Sequence, residues 1–242
     1  KKLLEWKNEC QGKKALLIEG ARRIGKSTIC EEFGKNEYES YLLIDFAKKD
    51  KEVEGYFEKY LNDLDTFFML LQTHFGTKLT ERNSLIIFDE VQMFPQARAA
   101  IKYLVADGRY DYIETGSLIS IRENVKNIVI PSEERNINMY PLDFEEFAIA
   151  LEEDLLVEYI KKCFEKREPL ERSMHNQAML LFHQYMLVGG MPMPVVAFIE
   201  SKKDFTEPDK EKRDILKLYR EDIMKIDMRY RSKVLAIYDQ IP

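Results

Sequence analysis

Gly20-Ala21-Arg22-Arg23-Ile24-Gly25-Lys26-Ser27-Thr28, entered from the apolar run Ala15-Leu16-Leu17-Ile18, decides how the rest of the chain is read. Two glycines separated by four residues and followed by Lys and Ser form a phosphate-binding loop pattern. Its surroundings are the ones that pattern requires. The continuous apolar run reads as a buried strand, and Lys26 to Phe33 reads as a helix stopped by Gly34. A strand, a glycine-rich turn and a helix N-terminus in that order aim backbone amides and the positive end of the helix at an anion. Lys26 is then placed to reach the β and γ phosphates, Ser27 to offer its hydroxyl to Mg²⁺, and Thr28 to add a phosphate contact. Arg22 and Arg23 read either as solvated loop charges or as contacts to the nucleotide or a partner.

Outward from the loop, apolar runs alternate with helical periodicity. Tyr41 to Phe46 reads as a second strand, residues 52 to 75 carry aromatic and aliphatic side chains at helical spacing, and Leu85 to Phe88 reads as a third strand. A helix from Pro95 to about Ala106, a strand from Tyr110 to Glu114 and a fifth strand over Ile137 to Tyr140 complete the pattern. Such alternation predicts an α/β fold: a parallel sheet covered on both faces in three layers, with ligands bound beyond the carboxyl ends of the strands.

The third strand delivers two carboxylates, Asp89 and Glu90, at its end. After a phosphate loop, at the next strand but one, Asp89 is placed to hold Mg²⁺ through a water and Glu90 to polarise the water that attacks the γ phosphate. A base beside the attacking water favours hydrolysis over transfer to an acceptor. No Asn-Lys-x-Asp tetrapeptide is present to read guanine, so adenine is the expected base. Two rivals stay open: an ATP-binding module that does not hydrolyse, and a small-molecule kinase.

Three further candidates have two readings each. Thr115 and Ser117, in Thr115-Gly116-Ser117 after the fourth strand, either hydrogen-bond the γ phosphate or attacking water as sensors or belong to a Gly-Ser turn. Arg135 either stabilises transition-state charge in a neighbouring subunit's site or is an exposed surface arginine. Asp45, ending the second strand, either faces the site or caps a helix.

From Pro141 onward strand-like runs give way to helical periodicity. Asp143 with Glu146 predicts a capping box opening a helix that runs to about Lys166, followed by helices over Ser173 to Val188 and Asp209 to Lys225. Gly189-Gly190-Met191-Pro192 reads as a hinge or a close backbone approach, and residues 201 to 213 as a solvated charged turn around Pro208. The expected division is a nucleotide-binding core over residues 1–141 and an all-helical lid over 142–242.

The 242 residues are 45% hydrophobic and 33% charged with a net charge of −6, a globular composition that lends no bulk electrostatic support to nucleic-acid or anionic-membrane binding. No apolar run approaches the roughly 18 residues of a membrane-spanning helix. Cys10, Cys30 and Cys163 form no paired motif and read as reduced thiols of a cytoplasmic protein, and the three histidines make no metal-spaced cluster.

GARRIGKST, LIIFDEVQ, ETGSLIS, MYPLDFEEF, YMLVGGMP and the terminal IYDQIP together resemble a family of bacterial and archaeal AAA-type P-loop ATPases. The resemblance covers nearly the whole chain. It implies a P-loop NTPase core with a smaller helical lid, ATP and Mg²⁺ as ligands, ATP hydrolysis, and a continuation into a restriction-endonuclease-like C-terminal domain, so that the chain reads as a fragment. Family members commonly carry Gly-Arg where this chain has Glu134-Arg135. Oligomeric assembly, a protein partner and nucleic acid are left open by the resemblance.

Overall fold

Ala15–Gly20 forms β1 because its apolar side chains are buried on both faces of a sheet, as a central parallel strand requires. The computed structural model describes residues 1–117, 132–224 and 226–240, which group into two units, Lys1–Tyr140 and Pro141–Pro242.

In the first unit, α1 (Lys2–Cys10) precedes β1, followed by α2 (Lys26–Glu37), β2 (Ser40–Asp45), α3 (Lys51–Tyr60), α4 (Leu64–Phe75), β3 (Ser84–Asp89), α5 (Pro95–Asp107), β4 (Asp111–Ser117) and β5 (Glu134–Asn138). The strands make one parallel sheet in the order β2-β3-β4-β1-β5. Alternation along each strand feeds two cores. Ala15, Leu17, Ile86, Phe88 and Tyr112 face a core packed with Phe57 of α3, Phe67 and Phe68 of α4 and Ile101 of α5. Leu16, Ile18, Leu85, Ile87 and Ile113 face the other, closed by Trp6 of α1 and by Cys30 and Phe33 of α2. The expected three-layer α/β architecture is therefore present.

Several local expectations are corrected. Gly34 does not stop α2, which continues to Glu37. A Cβ on Gly34 would sit 2.8 Å from Tyr41 Cβ, so the glycine serves the close packing of α2 on β2. The helical run over 52 to 75 is two helices, restarted at Asp63, whose carboxylate accepts from Thr66 N at 3.2 Å. β4 extends through Thr115, Gly116 and Ser117 instead of ending in a Gly-Ser turn, and β5 begins three residues and ends two residues earlier than expected.

The second unit is helical: α6 (Phe144–Ala150), α7 (Asp154–Lys166), α8 (Arg172–Val188), α9 (Pro192–Glu200), α10 (Thr206–Ile223) and α11 (Met228–Tyr238). The Asp143–Glu146 capping box opens α6. The helix expected to run to Lys166 breaks after α6, where Glu152 adopts φ 64°. Pro192 opens α9 from the N-terminal position that tolerates it, and Pro208 lies in the first turn of α10, so neither marks a loop. Gly190 is a close backbone approach. Leu142 N donates to its carbonyl at 2.7 Å, and a Cβ there would meet the Leu142 oxygen at 2.0 Å. The core holds Phe147, Leu156, Leu181, Val188, Val195 and Phe198.

Candidate phosphate-binding site

The strand order places the site. The chain leaves β1 through α2 toward the β2 edge, returns through β3 and β4, and then places β5 on the opposite flank of β1. The crevice beyond the carboxyl end of β1 lies at that reversal, where open α/β sheets bind ligands. β4 sits between β1 and β3, with Ile18 opposite Thr115 and Gly20 opposite Ser117. The loop after β1 and the carboxylates after β3 thus flank the end of β4.

The loop's shape comes from its glycines. Gly25, the N-cap of α2, has φ 88°, a conformation that suits a residue without Cβ. A Cβ on Gly20 would lie 2.4 Å from Met139 O, because the chain after β5 is held there by Met139 N donating to Glu19 O at 2.7 Å. Ile24 is buried and plugs the loop from beneath, leaving only its backbone for a ligand, whereas Ala21, Arg23 and Thr28 are exposed and Arg22 is half-buried.

Lys26 is 6% exposed at the first position of α2. Its ammonium donates to Gly20 O at 3.1 Å and Ala21 O at 2.8 Å, folding back over the loop it follows. Burial lowers its pKa from the ordinary lysine value, while the nearby Glu90 and Asp89 charges act in the opposite direction.

Across the crevice, Ser27 Oγ lies 2.8 and 2.9 Å from the two carboxylate oxygens of Asp89. Thr115 Oγ1 donates to Asp89 Oδ1 and accepts from Glu90 N at 3.2 Å. Ser27, Asp89, Thr115 and the Glu90 backbone therefore form one hydrogen-bonded chain drawn from α2, β3 and β4. Glu90 has φ 53°, an uncommon left-handed geometry for a side-chain-bearing residue. Its carboxylate accepts from Gln92 Nε2.

A family model described as an AAA domain matches residues 12–148, more than half of the chain. The chain belongs to this AAA-domain family. Among solved structures, PCH-2 from C. elegans is similar with a TM-score of 0.43 and 11% identity, over 88% of this chain and 67% of that one. The Hef helicase domain of Pyrococcus furiosus is similar with a TM-score of 0.27 and 13% identity, over 97% of this chain and 65% of that one. No curated protein sequence matches the chain.

The AAA domain does not bring every candidate to the loop. Ser117 ends β4 beside Gly20, and its buried hydroxyl has no hydrogen-bond partner among the described residues. Arg135 is on β5 opposite Leu16, toward the amino ends of the strands, and its guanidinium pairs with Glu9 at 2.5 Å. Within this chain it stands away from the carboxyl-end crevice. Asp45 caps a 3-10 turn, accepting from Ala47 N at 3.0 Å. Leu118 to Ser120, Lys225 and the terminal Ile241-Pro242 lie outside the described residues.

Three polar residues receive no role from the sequence motifs, although Gln92 closes LIIFDEVQ. Gln92 follows the carboxylates in an otherwise hydrophobic turn; its polarity at a buried position was the available signal. Arg98 of α5 forms a bidentate ion pair with Glu134 of β5 at 3.0 and 2.8 Å, both side chains at most 5% exposed. Glu114 of β4 is fully buried beside them. A polar residue in an apolar strand was the only clue to that cluster.

Proposed function

We propose that this chain is a Mg²⁺-dependent ATPase that converts ATP and water to ADP and phosphate. In this reading its nucleotide state acts as a switch on a protein partner or a C-terminal effector domain. Membership of the AAA-domain family supports nucleotide-dependent ATPase activity in general. The observation that carries the specific reading is the hydrogen-bonded chain Ser27–Asp89–Thr115–Glu90 beside the buried ammonium of Lys26.

The donor set fits Mg²⁺. A serine hydroxyl and one carboxylate are hard oxygen ligands, and Mg²⁺ commonly takes few protein ligands and completes its shell with water and phosphate. No group of three or more His, Cys, Asp or Glu that could hold a metal occurs among the described residues, which is compatible with such a sparse site. Ser27 and Asp89 would hold the ion, whose charge would offset that of the β and γ phosphates. The amides of residues 20–25 bind the polyphosphate, and Lys26 exchanges its two carbonyl partners for phosphate oxygens. Water attacks the γ phosphorus, the bond to the β-phosphate oxygen breaks, and Glu90 takes the water's proton. Thr115 holds the Glu90 backbone and Asp89 in common, so movement at either carboxylate is transmitted to β4.

The decisive experiment is single-turnover hydrolysis of γ-labelled ATP with Mg²⁺ or EDTA. Glu90→Gln is expected to retain ATP binding while phosphate release falls about 100-fold or more, the usual scale for loss of a general base. Hydrolysis by Glu90→Gln at the wild-type rate would overturn the assigned base. ATP binding without turnover by the wild type would favour the non-hydrolysing module, and label appearing on another molecule would favour a kinase.

A further inference from the structure

Glu90 leaves β3 in the left-handed region, and residues Val91–Met93 immediately close a 3-10 turn. Met93 N donates to Glu90 O at 2.9 Å and Phe94 N to Val91 O at 3.1 Å. Val91 and Phe94 are buried in the core against Phe46, Phe57 and Phe88, so this turn is anchored by packing on both sides of Gln92. The doubled-back chain sets the Gln92 amide against the Glu90 carboxylate, with Nε2 donating to Oε2. Gln92 is only 8% exposed, whereas Glu90 is half-buried at the mouth of the crevice. Glu90 is therefore gripped twice: its backbone amide by Thr115 on β4, its side chain by Gln92.

A carboxylate acting as a base toward water needs one oxygen free to receive a proton and a fixed orientation for it, since small misplacements of a catalytic group cost large factors in rate. A side-chain amide suits the second oxygen: it donates a hydrogen bond, carries no charge and does not titrate. We infer that Gln92 is the positioning residue for Glu90, holding Oε2 so that Oε1 is the oxygen that receives the proton of the attacking water. This rests on the hydrolytic reading above. In the step, the water oxygen bonds to the γ phosphorus and the proton passes to Glu90 Oε1. The electron pair of the broken bond stays on the β-phosphate oxygen of ADP.

The test measures kcat, KM and equilibrium binding of a fluorescent ATP analogue for the wild type, Gln92→Ala and Gln92→Glu between pH 5 and 9. For Gln92→Ala, binding and KM are expected within about twofold of wild type while kcat falls about 10- to 100-fold, part of the factor a general base supplies. Gln92→Glu can donate to Glu90 only while its new carboxyl is protonated. Its kcat should therefore rise toward wild type as pH falls, a recovery absent from Gln92→Ala. Wild-type kcat in Gln92→Ala, a parallel loss of ATP binding, or identical pH profiles for the two variants would each overturn the assignment. Absence of turnover in the wild type would overturn the hydrolytic reading and this inference together, whereas wild-type turnover with an unaffected Gln92→Ala overturns the inference alone.

Discussion

The two units bury different things. Among the described residues, every buried polar or charged residue lies in the first unit, among them Lys26, Ser84, Asp89, Gln92, Arg98, Asp111, Glu114, Thr115 and Ser117. The second unit has an apolar core around Phe147 and Phe198 and leaves large apolar side chains at the surface, among them Leu155, Phe164 and Met228, each more than 75% exposed. Burying a charge costs several kcal/mol unless it is paired or hydrogen-bonded. Several of these groups have partners drawn from the sheet and the elements around it: the Gly20 and Ala21 carbonyls for Lys26, Ser27 and Thr115 for Asp89, and Glu134 for Arg98. The difference teaches that buried polar groups gather around the sheet, whereas the buried core of the helical unit is apolar.

The largest expected loss of nucleotide binding comes from Lys26→Ala. It removes the one buried ammonium at the loop, and ATP affinity should fall at least about 100-fold, the scale of losing a charge-assisted contact in a desolvated site. Isothermal titration with ATP checks it, and unchanged affinity would remove Lys26 from the site. Next come two core substitutions of similar size and opposite kind. Arg98→Met strands Glu134 and should cost about 3–5 kcal/mol. Phe147→Ala opens a cavity beside Tyr185 and Phe198 and should also cost about 3–5 kcal/mol. Urea melts give both values. ATP binding at low denaturant should survive Phe147→Ala if the contrast between the units holds.

The smallest effect is the most discriminating. Burial raises the Glu114 carboxyl well above the ordinary glutamate value; the Glu134 charge acts in the same direction, and Arg98 opposes it. Glu114 is thus neutral in the fold over a pH range in which the unfolded chain ionises it. The stability this contributes is complete below the ordinary carboxyl pKa and is lost as pH rises toward the raised folded value. Glu114→Gln keeps the neutral shape without the proton. Its stability relative to wild type should therefore climb with pH by at most about 1.4 kcal/mol per unit and level off at the acid end. Thermal melts from pH 4 to 9 check this, and parallel curves would show that Glu114 is already ionised in the fold.

Elements whose cause is local were legible. Ala15 to Ile18 is apolar enough to specify a strand, Gly25 permits the left-handed N-cap of α2, and Asp143 with Glu146 caps α6 within four residues. Boundaries set by distant neighbours were not. Gly34 reads as a stop in the sequence because Tyr41, the residue it accommodates, is brought beside it only by β2. Pro192 and Pro208 read in the sequence as parts of a hinge and a turn, although the first turn of a helix needs no N–H from them.

For the site, the sequence by itself determined the loop from Gly20 to Thr28 and the Asp89-Glu90 pair, because glycine freedom, an apolar run and terminal charges are properties of neighbouring residues. Only the tertiary structure decided that β4 lies between β1 and β3, placing Thr115 against Asp89 and the Glu90 amide. The same holds for Gln92 on Glu90 and for Arg98 and Glu134 across α5 and β5. Strand order and the reversal of a turn are selected by burial of whole faces, a long-range energy that no local pattern contains.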